Sequence, residues 1–93
     1  MTLAVVWLPA AMNAYRSLRV TDPEEARHIA RRIAALAAEP RPEGSSSLGE
    51  TDFRRLRLDQ YRVLYEVTAD TVRVMHVGRV PHPGQLERTP HRT

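Results

Sequence analysis

Apolar side chains change period twice along this chain, and the changes divide it into elements. Leu3 to Leu8 is an unbroken apolar run rich in β-branched residues, which predicts a short strand buried on both faces and stopped by Pro9. From Ala10 to Leu18 the residues Ala11, Ala14, Tyr15 and Leu18 recur at helical spacing, with Asn13, Arg16 and Ser17 left for the other side. Pro9 suits the first turn of that helix. A second helix opens with Asp22 as cap, Pro23 at its first position and Glu25 three residues after the cap, an arrangement close to a capping box. Ala26, Ile29, Ala30, Ile33, Leu36 and Ala37 form its buried stripe; Arg27, His28, Arg31 and Arg32 face away, and Pro40 ends it. A link of about four residues predicts an antiparallel helical hairpin.

Between Glu39 and Glu50 lie two prolines, two glycines and three consecutive serines, which predict a loop. Beyond it the period becomes two. Phe53 to Leu58, Tyr61 to Val67 and Thr71 to Val77 alternate as strands, and the short connections Asp59-Gln60 and Thr68-Ala69-Asp70 make them an antiparallel meander. Pro81, Pro83, Gly84 and Pro90 deny a regular strand in the tail, where only Gln85 to Arg88 can form a helical turn. The expected class is therefore α+β: one strand, a two-helix hairpin, then a three-stranded antiparallel meander, with the helices packed on one sheet face and the other face open. Residues 1–80 form a single domain and 81–93 a Pro-rich C-terminal tail.

Composition adds constraints. Ninety-three residues leave room for one core, and 11 of the apolar side chains are Ala, so the core is thin. A thin core beside an exposed basic face suits a partner that adds burial. Cysteine is absent, which excludes disulfides and thiolate metal sites. No run approaches the roughly 18 apolar residues of a membrane span, and Leu3 to Leu8 is too short, and lacks the basic flank, for a signal peptide. A cytoplasmic chain without membrane attachment is expected. All 14 basic residues are Arg, in a chain of net charge +3. Arg stays protonated and binds phosphate through a planar fork, so it clamps anions better than it abstracts protons.

Alternation places these charges. With Leu56 and Leu58 turned to the helices, Arg55 and Arg57 face the open side; with Tyr61, Val63, Tyr65 and Val67 inward, so do Arg62, Leu64 and Glu66. Taking Val72 and Val74 as inward turns Arg73 outward and gives Arg79 the same parity. His76 follows Val74 and reads as a core histidine, His28 as a solvated one. Tyr61 and Tyr65 read as core aromatics with hydroxyls at the rim. Such an Arg face can hold RNA phosphates, or it can be a solvated strand face laced with Arg to Glu pairs.

The motifs Val6-Trp7-Leu8-Pro9 with Ala11, Asp22-Pro23, Leu36 with Pro40, Leu48-Gly49, the run Arg55-Leu56-Arg57-Leu58-Asp59-Gln60-Tyr61-Arg62-Val63-Leu64-Tyr65-Glu66-Val67 and Val77-Gly78-Arg79 occur in one order and spacing. In these the sequence resembles the RelE/ParE superfamily of toxins from type II toxin-antitoxin systems, with the RelE-like branch favoured. The resemblance implies a ribosome-dependent endoribonuclease, an mRNA interferase that inhibits translation without metal or cofactor by attack of a ribose 2′-hydroxyl on the adjacent phosphate. Its implied catalytic residues are Arg62, which contacts the scissile phosphate, with Arg55, Arg57 and Arg79. Arg54, Arg55, Arg57, Arg62 and Arg73 form the implied RNA-binding set. Positions where the family carries Lys hold Arg here, and the tail contains no Tyr, so the general base and acid stay open among Glu66, His82, a ribosomal group and water; His91 is the other tail histidine. Implied partners are a cognate antitoxin, the ribosome and mRNA, with operator DNA reached only through the antitoxin. The alternatives within the superfamily are a ParE-like non-enzymatic inhibitor of DNA gyrase and a non-toxic antitoxin-binding module of the same fold.

Overall fold

A computed structural model describes residues 2–80, in the order β1 (Ala4–Trp7), α1 (Pro9–Thr21), α2 (Pro23–Ala35), β2 (Ser45–Ser47), β3 (Phe53–Leu58), β4 (Tyr61–Val67) and β5 (Thr71–Arg79). The expected turn at Gln85 to Arg88, the tail 81–93, His82 and His91 lie outside the described residues. The α+β class and the helical hairpin on one sheet face agree with the sequence reading, and β3, β4 and β5 form the expected antiparallel meander. β1 returns to pair parallel with β5, giving a five-stranded sheet in the order β1-β5-β4-β3-β2.

Four local expectations are corrected. The segment read as an uninterrupted loop contains the edge strand β2, in which Ser45, Ser46 and Ser47 pair with Leu56, Arg55 and Arg54. Serine brings little strand propensity of its own, so this strand is formed by the ladder of its neighbour and by Arg54, whose guanidinium bonds the Ser45 hydroxyl at 3.0 Å. The two helices are separated by Asp22 alone, which ends α1 through its N–H to the Leu18 carbonyl (2.7 Å) and caps α2 by accepting from the Glu25 N–H at 3.3 Å. α2 stops at Ala35, short of the Leu36 and Ala37 assigned to its stripe. Finally, β1 is an edge strand exposed on one side: Val5 and Trp7 turn to the core, whereas Val6 stands 41% exposed.

The core lies between sheet and helices. Ala11 and Leu18 of α1, Ala26, Ile29 and Ile33 of α2, and Leu36 just beyond it, pack against Leu56, Leu58, Val63, Tyr65, Val67, Val72, Val74 and Val77. Tyr65 is wholly buried, and its hydroxyl donates to the Pro40 carbonyl at 2.7 Å, tying the chain after α2 to the middle of the sheet. Pro40, five residues beyond the end of α2 rather than at its stop, thus serves as an anchor.

One irregularity redirects β5. The β4–β5 ladder slips at Leu64/Tyr65, so that Leu64 pairs with His76 and Tyr65 with Val74, leaving Met75 as the extra residue of a β-bulge. Side-chain parity reverses beyond it: Val72, Val74 and Val77 are buried, while Arg73 and His76 are exposed. His76 therefore lies on the open face and is not the core histidine that its parity with Val74 suggested.

Candidate anion-binding face

The charge cluster is a product of register. The Asp59-Gln60 turn, with Asp59 in the left-handed region at φ 53°, fixes Arg57 directly across from Arg62 and Leu58 across from Tyr61. Because β3 alternates, Arg55 falls on the same face two residues back. On the other flank Gly78 of β5 stands opposite Arg62, and His76 opposite Leu64. Arg55, Arg57 and Arg62 line a recess of about 300 Å³ with Gly44, Ser46 and Val80, and no acidic side chain lines it. Gly44 enters β2 at φ +91°, a conformation that favours glycine, and its carbonyl accepts from the Arg57 N–H at 3.1 Å.

The three arginines line one recess, and among the described residues none of them is paired with a carboxylate. Their one hydrogen bond among the described residues is weak, from Arg57 Nε to the Asp59 carbonyl at 3.5 Å. Two of these fork-shaped cationic donors are exposed and one is half-buried, an arrangement whose chemistry suits an anion such as a phosphodiester.

The other expected site residues are placed elsewhere. Arg54 has the parity of Leu56 and Leu58, so it turns to the helix side and is taken up by Ser45. Arg79 lies opposite Tyr61, on the reverse face from Arg62; its guanidinium donates to Gln60 Oε1 at 2.7 Å and sits 6.0 Å from the Tyr61 ring centroid. The bulge is the reason, since it separates the parity of Arg79 from that of Arg73. Arg73 does reach the open face, but at its far end, where it bridges to Glu66 at 3.0 Å. Glu66 is four residues along β4 from Arg62, roughly 13 Å at strand rise, so this carboxylate, one of the groups considered as a base, is occupied and distant.

Sequence reasoning missed the walls of the recess, Gly44, Ser46 and Val80, and it missed His76. A signal for the latter existed: Val74 and Val77 are both apolar at odd separation, which an unbroken strand with one buried face does not accommodate.

Two further features lie on the helix side. Glu25, His28 and Asp59 bring one ligand atom each to within 4.8 Å of one another, the one group of the described residues that could hold a metal ion; Glu25 Oε2 is buried without a hydrogen-bond partner. Between the helices runs a groove of about 570 Å³, floored by Ala26, Ala30 and Ala34 and rimmed by Tyr15, Arg19, Arg27 and Arg31. No helix among the described residues is long and apolar enough to cross a membrane.

Residues 5–82 match the profile of a family described as ParE toxin of type II toxin-antitoxin system, parDE. No curated protein matches the sequence at a significant level. Among solved structures, the chain is similar to a YoeB/ParE toxin from Agrobacterium tumefaciens, with TM-score 0.74, 17% identity, and coverage of 85% of this chain and 100% of that one. The RelBE2 toxin-antitoxin complex of Mycobacterium tuberculosis gives TM-score 0.72 at 19% identity, covering 85% and 99%. A mutant of the Escherichia coli toxin RelE in the free state gives TM-score 0.71 at 21% identity, covering 99% and 98%. Identities at this level speak to the fold.

Proposed function

The chain belongs to the ParE toxin family of type II toxin-antitoxin systems, and from that premise we propose that it arrests translation by cutting messenger RNA on the ribosome. The observation that carries the reading is the acid-free recess in which Arg55, Arg57 and Arg62 converge. In this reaction the O–H bond of a ribose 2′-hydroxyl breaks as its oxygen bonds to the adjacent phosphorus. The bond from phosphorus to the 5′ oxygen then breaks, leaving a cyclic 2′,3′-phosphate and a 5′-hydroxyl. Negative charge grows on the non-bridging phosphoryl oxygens, and donors already in place there stabilise the transition state more than the ground state. In this reading Arg62, which stands between Arg57 and the side-chain-free Gly78, holds the scissile phosphate, with Arg55 and Arg57 on its flank.

The partners in this reading are the ribosome, mRNA and a cognate antitoxin. Neighbouring folds have been solved as toxin-antitoxin complexes. An acidic amphipathic antitoxin segment that covers the arginine recess would neutralise its charge and block phosphate entry.

Primer extension on mRNA bound to programmed ribosomes, with purified antitoxin-free protein, tests the proposal. New ends within the decoding-site codon that disappear with Arg62→Ala are the expected result. No cleavage by folded protein would refute it. A second reading, non-enzymatic inhibition of DNA gyrase, is favoured by the absence of lysine from the chain, since the strongly basic guanidinium of Arg holds its proton and is a poor general base. Inhibition of gyrase supercoiling by protein that leaves mRNA intact would establish it.

A further inference from the structure

Resting on the ribonuclease reading, we propose that His76 is the general base of the cleavage site and that Gly78 exists to seat it. The bulge at Met75 turns His76 to the open face, where it is exposed and stands two pairs along β5 from the Gly78–Arg62 pair, on the same face. Its imidazole folds along the strand toward that pair: a Cβ built on Gly78 would lie 2.7 Å from His76 Nε2 and 3.2 Å from Cδ2. The imidazole therefore occupies the space that a side chain at position 78 would fill, and that space is directly across the ladder from Arg62, where paired backbones are about 5 Å apart. Gly78 has no positive φ to explain it, so the conformational freedom of glycine is not what this position uses.

The alternatives near the recess fail on placement. Arg55, Arg57 and Arg62 keep their protons at any accessible pH. Glu66 is bridged to Arg73, and Tyr61 and Tyr65 have the opposite parity. His76 is the remaining described acid–base side chain on this face, and imidazole is the side chain type best suited to general base work. In the step proposed, the 2′-hydroxyl proton passes to His76 as the 2′ oxygen attacks phosphorus. The departing 5′ oxygen takes a proton from water, and the imidazolium returns its own to solvent.

The assay is single-turnover cleavage of mRNA on programmed ribosomes by the full-length protein, comparing parent, His76→Ala, His76→Gln, Gly78→Ala and the double variant His76→Ala/Gly78→Ala. Positioned acid–base groups contribute about 10²–10⁴-fold, so both His76 variants should lose at least 100-fold in maximal rate while the concentration for half-saturation stays within about threefold. Added imidazole should restore part of the rate to His76→Ala and none to Arg62→Ala. Gly78→Ala displaces only the far end of a flexible side chain, so it should fold and yet slow cleavage. Its effect should vanish in the double variant, which separates seating of the imidazole from general damage to β5. A parent that cleaves, with His76 variants within twofold of it, overturns this assignment and leaves the ribonuclease reading intact. A parent that does not cleave overturns both.

Discussion

The Arg57–Arg62 pair sets function against stability, and replacing one partner measures the conflict. The two residues stand directly opposite on neighbouring strands, on a face where no carboxylate lines the recess. Like charges directly opposed in a sheet destabilise by about 0.2–1 kcal/mol. Arg57→Gln removes that repulsion and keeps most of the aliphatic stem. What it gives up is the 3.5 Å contact to the Asp59 carbonyl, too long to contribute much. For a domain of this size 1 kcal/mol moves Tm by about 4–8 °C, so the variant should melt about 1–8 °C higher in low salt. In 1 M salt, where the screening length is near 3 Å, the gap should shrink toward zero. Thermal unfolding followed by circular dichroism at 20 mM and 1 M sodium chloride reads both effects, and ribosome-programmed cleavage should fall in the same variant. A variant that melts lower at low salt, or whose advantage persists undiminished at 1 M, would refute the electrostatic account.

The remaining expectations are narrower. Tyr65→Phe removes the 2.7 Å bond to the Pro40 carbonyl and should lower unfolding free energy by about 0.5–1.5 kcal/mol in urea titration, with little change in m-value. Asp22→Ala removes the α2 cap and should lower it by about 1 kcal/mol, whereas Asp22→Asn, which keeps an acceptor, should stay within a few tenths of the parent. Binding of a short non-cleavable single-stranded oligonucleotide should weaken with salt at a slope near −2 in log–log form, for three phosphate contacts at about 0.7 each, and Arg55→Ala should flatten the slope by one contact. Arg54→Ala, on the reverse face, removes no phosphate contact and should leave the slope unchanged.

What could be read from the sequence was what local periodicity and capping determine. The Asp22-Pro23 start of α2 and the alternation in β3 and β4 each depend on residues a few positions apart, and they placed Arg55, Arg57 and Arg62 on one face. The features that escaped depend on pairing between distant segments. Three serines carry no strand signal, and β2 forms because β3 offers it a ladder. The bulge at Met75 belongs to a ladder between two strands, so counting parity along β5 alone put His76 in the core and Arg79 beside Arg73. The recess is illegible for the same reason: Gly44, Ser46 and Val80 meet the arginines only once β2 and the end of β5 are docked.

The parallel pairing of β1 with β5 bears on the order in which this molecule can be made. Ala4 finds its partner at Thr71 and Trp7 at Val74, so the first strand synthesised waits for nearly the last. Closing so long a loop is entropically unfavourable and characterises slow-folding topologies. A nascent chain that ends before β5 holds two helices and a β2–β3–β4 edge whose apolar face has no first strand beside it. A fragment ending at Asp70 should accordingly show no cooperative unfolding transition; a sigmoidal melt from that fragment would show that β1 docks without its partner. Until Val72 and Val74 are in place, the chain is a collection of local elements, and the arginine recess, which needs Val80 for a wall, comes into being only after β5 has been made.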